Sequence, residues 1–394
     1  MGIADQGFKV VLVEEAENLG GLTMNLRYTL EGDDPVRFME DLVEQVEKNP
    51  NIHVLKDSRV VLSRGRAGRF VTVIATGEGT AHTLHHGATI LATGGHEARV
   101  YEYGNRVHKC VLTQMELEQR LAEGSVDASG LSGLAMIQCW RSREESRNYC
   151  SRVCCQSALK NILMLKRRNP ELPIFVFYRD IMSPGFSEHF YTEARRSGAV
   201  FIRYTSQNRP KVEFEEGKPV ITALDPVLGA EIQVRPDLLV LSSGVEPNDA
   251  AETAELFGVG LTADGFFQEA ESKWRPVDFL KHGVFACGLA LGPSTMRDSL
   301  LSAKAAAQRA VRILNEKHLS CGNVVAEVRH SLCSRCGRCI SVCPYGARSL
   351  DMDRDMIVVD DLLCQGCGSC TAVCPNSATV LRGFRDEQVM AVID

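Results

Sequence analysis

The strongest constraint on this chain is a cysteine motif that occurs twice near its end. Each copy reads Cys-x2-Cys-x2-Cys-x3-Cys-Pro, over residues 333–344 and again over residues 364–375. Three thiolates at this spacing can hold three corners of a 4Fe–4S cluster, which then needs one further thiolate. Two zinc sites or unrelated surface thiols are the alternative, and the doubled spacing with a proline after each fourth cysteine disfavours both. The tail is therefore predicted to carry two iron–sulfur clusters.

Residues 325–385 resemble the two-cluster bacterial ferredoxin. In that family an α+β domain holds both clusters, and the fourth cysteine of each motif ligates the cluster of the other motif. The resemblance therefore implies two mixed ligand sets. They are Cys333, Cys336, Cys339 and Cys374 for one cluster, and Cys364, Cys367, Cys370 and Cys343 for the other.

Length, charge and hydropathy narrow the class of protein. The 394 residues leave room for two or three domains, and 44% hydrophobic with 24% charged residues is ordinary for a soluble globular protein. A net charge of −6 without a block of lysines and arginines argues against a nucleic-acid partner. No apolar run approaches the roughly 20 residues that a membrane span needs, and residues 1–8 show no signal-peptide pattern. We therefore expect a cytoplasmic location, where clustered cysteines are more often metal-binding or catalytic than disulfide-bonded.

Apolar runs alternate with amphipathic segments before the cysteine-rich tail. Residues 9–14 and 89–92 are typical of buried parallel strands, and a second series of strands and helices begins at residue 134. This alternation predicts an α/β architecture with two dinucleotide-binding domains in tandem, followed by the ferredoxin domain. The predicted boundaries are residues 1–130 and 273–320 for the first domain, 131–272 for the second, and 321–394 for the third.

Three segments of the first domain indicate a bound FAD. Glu14 ends a strand, and an acid at this place in a dinucleotide fold accepts hydrogen bonds from the adenosine ribose. The turn Ala-Thr-Gly-Gly at residues 92–95 resembles that of disulfide-reductase-like flavoproteins, and residues 283–288 resemble their late flavin strand. The predicted FAD contacts are Glu14, Gly20, Gly21, Ala92, Thr93, Gly94, Cys287, Gly288 and Ser299.

The late flavin strand departs from that pattern at one position. Leu289 stands where many of these flavoproteins have an aspartate that binds the ribityl chain. The ribityl contact is therefore left to backbone groups near Gly288, or to Asp298 and Ser299.

The phosphate-binding loop is missing from both dinucleotide units. The first unit should begin with a strand and a G-x-G-x-x-G loop, but its acidic strand already starts at residue 10. Either the start is mis-assigned, or a neighbouring subunit completes the site, or this chain binds FAD poorly; we favour the first two. In the second unit the strand at residues 134–139 runs into Trp140 without a glycine loop, so a nicotinamide cofactor would lack its pyrophosphate cradle.

A second group of cysteines takes the place of that loop. Two of its members are adjacent, which rarely suits tetrahedral zinc, and the alternatives are an irregular 4Fe–4S site, buried thiols or a redox-active pair. With its flanking residues the group resembles the A subunit of heterodisulfide reductase and its bacterial relatives, and this resemblance covers nearly the whole chain. It implies a third 4Fe–4S cluster near the flavin, ligated by Cys139, Cys150, Cys154 and Cys155.

Lys160 lies five residues beyond the adjacent cysteines. In the family the lysine at this place approaches the N5 edge of the flavin, where a cation stabilises anionic reduced flavin. The alternative is a surface lysine on an amphipathic helix.

The family resemblance implies a FAD and iron–sulfur electron-transfer subunit of a heterodisulfide-reductase-like complex. Such a subunit can bifurcate or confurcate electrons between a donor, a disulfide-type or other high-potential acceptor, and ferredoxin. The implied partners are subunits like B and C of that enzyme and a small iron–sulfur adaptor or donor dehydrogenase or hydrogenase, in a dimer of the assembly. A linker at residues 318–329 would let the tail dock on a partner.

Two other functions stay open on the sequence. One is an NAD(P)H-dependent flavin oxidoreductase with a ferredoxin tail, like the small subunit of glutamate synthase, against which the missing nicotinamide loop argues. The other is a non-catalytic scaffold that only carries electrons, which flavin content would distinguish.

Overall fold

The computed structural model describes residues 1–318, 324–361 and 363–393, and it contains three units. Cys321 and part of the predicted linker at residues 318–329 lie outside the described residues. Within the described ranges, no helix is long and apolar enough to cross a membrane. The first unit begins with the elements β1 (Val10–Val13), α1 (Pro35–Lys48), β2 (Ile52–Leu55), β3 (Ser58–Arg66), β4 (Arg69–Thr76), β5 (Ala81–His86), β6 (Thr89–Leu91) and β7 (Gly95–Glu97).

The second unit is built on a five-stranded parallel sheet. Its order is β11-β10-β9-β15-β8, and the central strands β9 and β15 are almost entirely buried, as the unbroken apolar runs of a parallel sheet require. A three-stranded antiparallel sheet, β12-β13-β14, is attached to it. The elements are β8 (Val111–Thr113), α2 (Gln114–Glu123), β9 (Leu134–Trp140), α3 (Val153–Arg168), β10 (Ile174–Tyr178), α4 (Glu188–Arg196), β11 (Val200–Arg203), β12 (Lys211–Glu215), β13 (Lys218–Asp225), β14 (Ala230–Val234), β15 (Leu238–Ser243) and β16 (Val245–Pro247).

The chain then returns to the first unit through α5 (Ala251–Phe257), β17 (Val284–Ala286) and α6 (Met296–Leu314). Phe257 of α5 packs in one core cluster with Phe70 and Val284, so the return begins earlier than the predicted residue 273. Likewise β8 and α2, which the predicted boundary at residue 130 assigned to the first domain, belong to the second unit, because β8 pairs with β15 and α2 packs in the core beside that sheet.

The parallel strands of the first unit form two separate pairs in the described residues. β1 pairs with β2 and β6 pairs with β17, whereas β3, β4 and β5 form an antiparallel sheet. The four apolar residues of β1 are all only half-buried, unlike the strands of the second sheet.

The tail has the two-fold repeat that its motifs predict. Its elements are β18 (Ala326–Val328), α7 (Arg338–Ser341), β19 (Arg348–Asp351), β20 (Met356–Val359), α8 (Ser369–Ala372), β21 (Thr379–Leu381) and α9 (Asp386–Ile393). β18 pairs with β21 and β19 with β20, both antiparallel. The tail contacts the first unit through an ion pair of 2.9 Å between Arg66 and Asp360. The α/β class with a C-terminal α+β tail is thus as predicted.

Candidate functional site

The tail cysteines surround two separate cavities, and each cavity takes its fourth cysteine from the other motif. In the described residues, no three Cys, His, Asp or Glu side chains converge closely enough to hold a single metal ion. We call the cavity lined by Cys333, Cys336, Cys339 and Cys374 the first tail cavity, and the cavity lined by Cys343, Cys364, Cys367 and Cys370 the second tail cavity.

Hydrogen-bond donors point at the tail thiols, as the ligation of anionic sulfur requires. Burial alone would raise the pKa of Cys374, but backbone N–H groups outweigh it and lower that pKa, among them the N–H of Ala378 at 3.2 Å from Sγ. The hydroxyl of Ser369 lowers the pKa of Cys367 in the same way. At Gly366 a Cβ atom would lie 2.6 Å from the carbonyl oxygen of Val324, so only glycine fits where this cysteine-bearing loop passes the segment before β18.

The four middle cysteines also come together. Cys139 lies near the end of β9, Cys150 in the following loop, and Cys154 and Cys155 in the first turn of α3. Three of them are buried and Cys150 is half-buried, and their thiols are close enough to influence one another's ionisation. A hydrogen bond from the Cys154 thiol raises the pKa of Cys154 and lowers that of Cys155. Burial raises the pKa of Cys139 to about 11.

Backbone strain is concentrated around this middle group. Cys139, Arg141, Arg143 and Arg152 all have positive φ, between 51° and 61°. Such conformations cost a non-glycine residue of order 1–3 kcal/mol each, and they persist where the surroundings over-determine them. Local sequence pattern carries no signal for them, because none of the four is a glycine or an asparagine.

A charged pair supports the same site. Arg143 bonds the carboxylate of Asp180 at 2.7 Å, and the Cys155 thiol donates to the Asp180 carbonyl at 3.8 Å. The positive charge of Arg143 favours the thiolate of Cys139, which burial disfavours. Sequence reasoning missed both residues, since their role depends on the approach of the β10 end to the cysteine loop.

The predicted FAD segments lie at the carboxyl ends of parallel strands that form two separate pairs, β1 with β2 and β6 with β17. Leu91 pairs with Ala286, so the turn after β6 and the segment after β17 emerge side by side. Glu14 follows β1, and its carboxylate accepts from the N–H of Ala16 at 2.9 Å. In an α/β sheet, dinucleotides bind at the carboxyl ends of the strands.

Two turns, one after β1 and one after β6, have backbone conformations that favour glycine. Gly20 has a φ of 113° and Gly94 one of 77°, which a side chain would make costly. Gly21 and Ala92 flank these turns, and the Thr93 carbonyl accepts from Asn248 at 2.8 Å. The arrangement fits a ligand that approaches main chain closely.

The segment after β17 presents Ser299 rather than Asp298. The N–H of Gly288 already donates to the Ser302 hydroxyl at 2.9 Å, and Asp298 shares a helix cap with Thr295. Ser299 adjoins Gly288, and its hydroxyl is within 2.8 Å of that of Ser294. Cys287 is buried, which raises its pKa to about 11. Of the two predicted ribityl contacts, Ser299 is thus the side chain beside Gly288.

Lys160 is buried, so the surface-lysine alternative is wrong. Its Nζ forms an ion pair of 2.7 Å with Glu118 of α2 and donates to the carbonyl of Tyr28 at 2.7 Å. Burial lowers its pKa, and Glu118 opposes that shift. The pair fastens the segment after β1 to the two helices of the second unit, and its role toward a flavin stays a prediction.

Glu97 lies where two short strands, β7 and β16, connect the units. Its carboxylate accepts from the Thr113 hydroxyl at 2.9 Å, and the nearby Ser243 hydroxyl also lowers its pKa. Burial raises its pKa from 4.5 to about 7, and these hydroxyls and the main chain of Met115 only partly oppose that rise. The carboxylate of Glu116, the other charge that acts on it, raises it further.

We expect this glutamate to make stability depend on pH. A pKa that is raised in the folded state stabilises the protein below the unfolded value, and the gain is lost as pH rises through about 7. A shift of this size corresponds to about 3 kcal/mol. Denaturant midpoints between pH 4.5 and 8 should therefore fall for the parent protein and much less for Glu97→Gln. Glu255→Gln, on the exposed side of α5, serves as the control, and equal slopes in all three proteins would contradict the assignment.

Known proteins of similar sequence match this chain along its whole length. Residues 327–375 match the family model of the 4Fe-4S dicluster domain. The chain is 35% identical over 271 residues to the second iron–sulfur A subunit of CoB–CoM heterodisulfide reductase of Methanopyrus kandleri, covering 63% of this chain and 40% of that one. It is 28% identical over 492 aligned positions to the corresponding iron–sulfur A subunit of Methanocaldococcus jannaschii, covering all of this chain and 74% of that one.

A third relative is the A subunit of the H(2)/formate:CoB-CoM heterodisulfide,ferredoxin reductase of Methanococcus maripaludis. The two chains are 34% identical over 331 residues, which is 78% of this chain and 50% of the relative. In its higher-identity matches the chain thus spans half or less of these relatives' length.

Solved structures share the fold of the first two units. Thioredoxin reductase of Lactococcus lactis aligns with a TM-score of 0.53 at 15% identity, over 80% of this chain and 93% of that one. The thioredoxin reductase of T. acidophilum gives 0.52 at 14% identity, over 79% and 91%. At these identities the likeness shows the dinucleotide-binding fold alone.

Proposed function

We propose that this relative of the heterodisulfide reductase A subunits is a FAD and iron–sulfur electron-transfer protein with three 4Fe–4S clusters. The grouping of twelve cysteines into three sets of four carries the proposal. Two sets line the tail cavities, and the third lies where the nicotinamide loop of a reductase would begin. Each set offers four sulfur ligands, the number that one such cluster needs.

FAD would be held at the carboxyl ends of β1, β6 and β17. Glu14 would take the ribose, the turns at Gly20 and Gly94 would bring main chain against the cofactor, and Ser299 would bind its ribityl chain. When bound, FAD exchanges electrons in pairs or singly, which iron–sulfur clusters cannot do alone. Around it, the strained loop of residues 139–152 fixes the middle cysteines, and the Arg143–Asp180 pair orients that loop. These residues supply rigid cluster positions rather than acid–base chemistry.

The finer assignment follows from the relatives. We propose that the protein bifurcates or confurcates electrons between a donor, a disulfide-type or other high-potential acceptor, and ferredoxin. Its partners would be subunits like B and C of heterodisulfide reductase and a small iron–sulfur adaptor or a donor dehydrogenase or hydrogenase. We propose a cytoplasmic dimer of this assembly. Once the three clusters are built, no dithiol remains among the described cysteines for a disulfide exchange within this chain.

Iron, sulfide and flavin content test the proposal. Anaerobically purified and reconstituted protein should hold about twelve iron and twelve labile sulfide per chain, from three four-iron clusters. It should bind FAD, and NADPH without partners should leave the flavin absorbance unchanged while dithionite bleaches it. A count near eight would remove the middle cluster, and absence of flavin would favour a simple electron carrier. Rapid bleaching by NADPH would favour the glutamate-synthase-like alternative.

A further inference from the structure

One arginine lies buried between the two tail cavities. Arg348 is the first residue of β19 and is 4% exposed. It lines the second tail cavity, and its Nη2 donates to Sγ of Cys370 at 3.0 Å. Its charge also reaches the first cavity: burial raises the pKa of Cys339, and Arg348 opposes that rise. The guanidinium therefore acts on ligands of both sites, but contacts only one directly.

The charge of Arg348 has no carboxylate to balance it among the described residues. In the described tail, every ion pair joins a carboxylate to an arginine other than Arg348, such as Arg335 or Arg382. The second guanidinium nitrogen, Nη1, is buried without a hydrogen-bond partner. A buried cation is costly unless negative charge lies nearby. Here that charge can only come from the cysteine sulfurs and what they hold, so the arginine is suited to an anionic cluster.

The internal repeat shows that this charge is present on one side only. Arg348 stands five residues after Cys343, and the matching position five residues after Cys374 is Thr379. Both residues begin a strand, and both are buried, with 4% and 5% exposure. At this position the two-fold repeat therefore places a buried cation at one site and a neutral hydroxyl at the equivalent one, whereas the arginine that lines the first tail cavity, Arg338, is exposed. Backbone and ligands are matched, but the electrostatics are not.

We propose that Arg348 makes the two tail clusters unequal, by raising the reduction potential of the cluster in the second tail cavity above that of its neighbour. The inference rests on the tail clusters of the proposed function. One added electron makes a cluster and its four thiolates one charge more negative, and a fixed positive charge beside it favours that reduced form. Because arginine stays protonated at every accessible pH, the bias is permanent.

The position of the second tail cavity indicates where electrons in the tail would collect. Gln365, which lines that cavity, also borders a cleft of about 420 Å³ with Arg275 and Lys281 of the first unit. The second tail cavity therefore lies on the side of the tail that faces the first unit. Electrons that enter the tail would collect on the cluster nearest the main body of the chain.

The test is a redox titration of the full chain followed by electron paramagnetic resonance. A Cys154→Ala parent leaves only the tail clusters, and dithionite supplies the electrons. The parent should show two midpoints. Arg348→Met should lower the ratio of reduced to oxidised cluster at least tenfold at one of them, which is 59 mV for a one-electron couple. Arg348→Lys should keep most of the effect. Arg335→Met, an exposed and ion-paired arginine beside the first cavity, is the matched control and should shift neither midpoint beyond about twofold.

Three results would overturn the inference. They are unchanged midpoints in Arg348→Met, an Arg348→Lys variant that behaves like Arg348→Met, and loss of four iron in Arg348→Met and in a second neutral variant, Arg348→Gln, but not in Arg348→Lys. The last would make the arginine a counter-charge for assembly and not a determinant of potential. If the Cys154→Ala parent holds eight iron, the proposal of two tail clusters is supported independently of the midpoints. If it holds fewer, the proposed function itself is contradicted.

Discussion

Cys154→Ala should remove about four iron and four labile sulfide per chain and leave about eight of each. The substitution takes one thiolate from the middle group, where three buried cysteines and a strained loop leave little freedom to recruit a substitute. The tail cavities draw on no residue of that group, so their clusters should assemble independently. Iron analysis and the low-temperature paramagnetic spectrum of reduced protein provide the measurement.

Two further variants control for general damage. Cys110→Ala removes a half-buried thiol that bonds only the carbonyl of Gly217, and it should leave the iron content unchanged. Cys367→Ala should lose one tail cluster and keep the middle one. If Cys154→Ala loses all of its iron, the clusters do not form in separate units. If it loses none, the middle group is a set of free thiols.

The tail could be predicted almost completely from the sequence because its information is local. The spacing within each motif determines which three thiols share a cavity, and the known exchange of the fourth cysteine accounts for Cys343 and Cys374. The structure shows this grouping in the two cavities. Even there the sequence did not reveal Arg348, since an arginine after a short turn normally indicates an exposed strand residue.

The features that escaped prediction depend on contacts between distant segments. Nothing in the sequence indicates that Glu118 contacts Lys160, and Asp180 contacts Arg143 only because β10 ends beside the cysteine loop. The predicted boundary at residue 130 differs from the structure for the same reason. β8 precedes that boundary in the sequence, but it pairs with β15 in the sheet of the second unit. Hydrophobic pattern identifies a strand, and only tertiary pairing decides to which sheet it belongs.

Lys160→Met should destabilise the protein by about 3–5 kcal/mol, the cost of leaving one member of a buried ion pair alone. Its partner Glu118 is 1% exposed, and its carboxylate also accepts from the main chain of Arg27 and Tyr28. Without the lysine, this carboxylate must either stay charged in a site of low dielectric or take up a proton. Denaturant midpoints at pH 7 measure the loss.

The double variant Lys160→Met with Glu118→Gln separates a charge effect from a packing effect. It removes both charges and keeps similar volumes, so it should recover most of the lost stability. Lys166→Met on the same helix is the matched control: that lysine is equally buried, but bonds the carbonyl of Pro170, and its loss should cost only about 1 kcal/mol. Equal losses of stability in Lys160→Met and Lys166→Met would mean that the ion pair with Glu118 adds no stability beyond that of an ordinary buried lysine.

The same variants test the role that the family resemblance implies for Lys160. If its charge acts on the flavin, Lys160→Met should keep FAD bound and change the flavin midpoint. Glu118, which is ion-paired to Lys160 at 2.7 Å, carries the opposite charge, so Glu118→Gln should change the flavin midpoint in the opposite direction. If the flavin midpoint of both single variants equals that of the parent protein while stability falls as expected, Lys160 is a structural cation that fastens the segment around Tyr28 to the second unit.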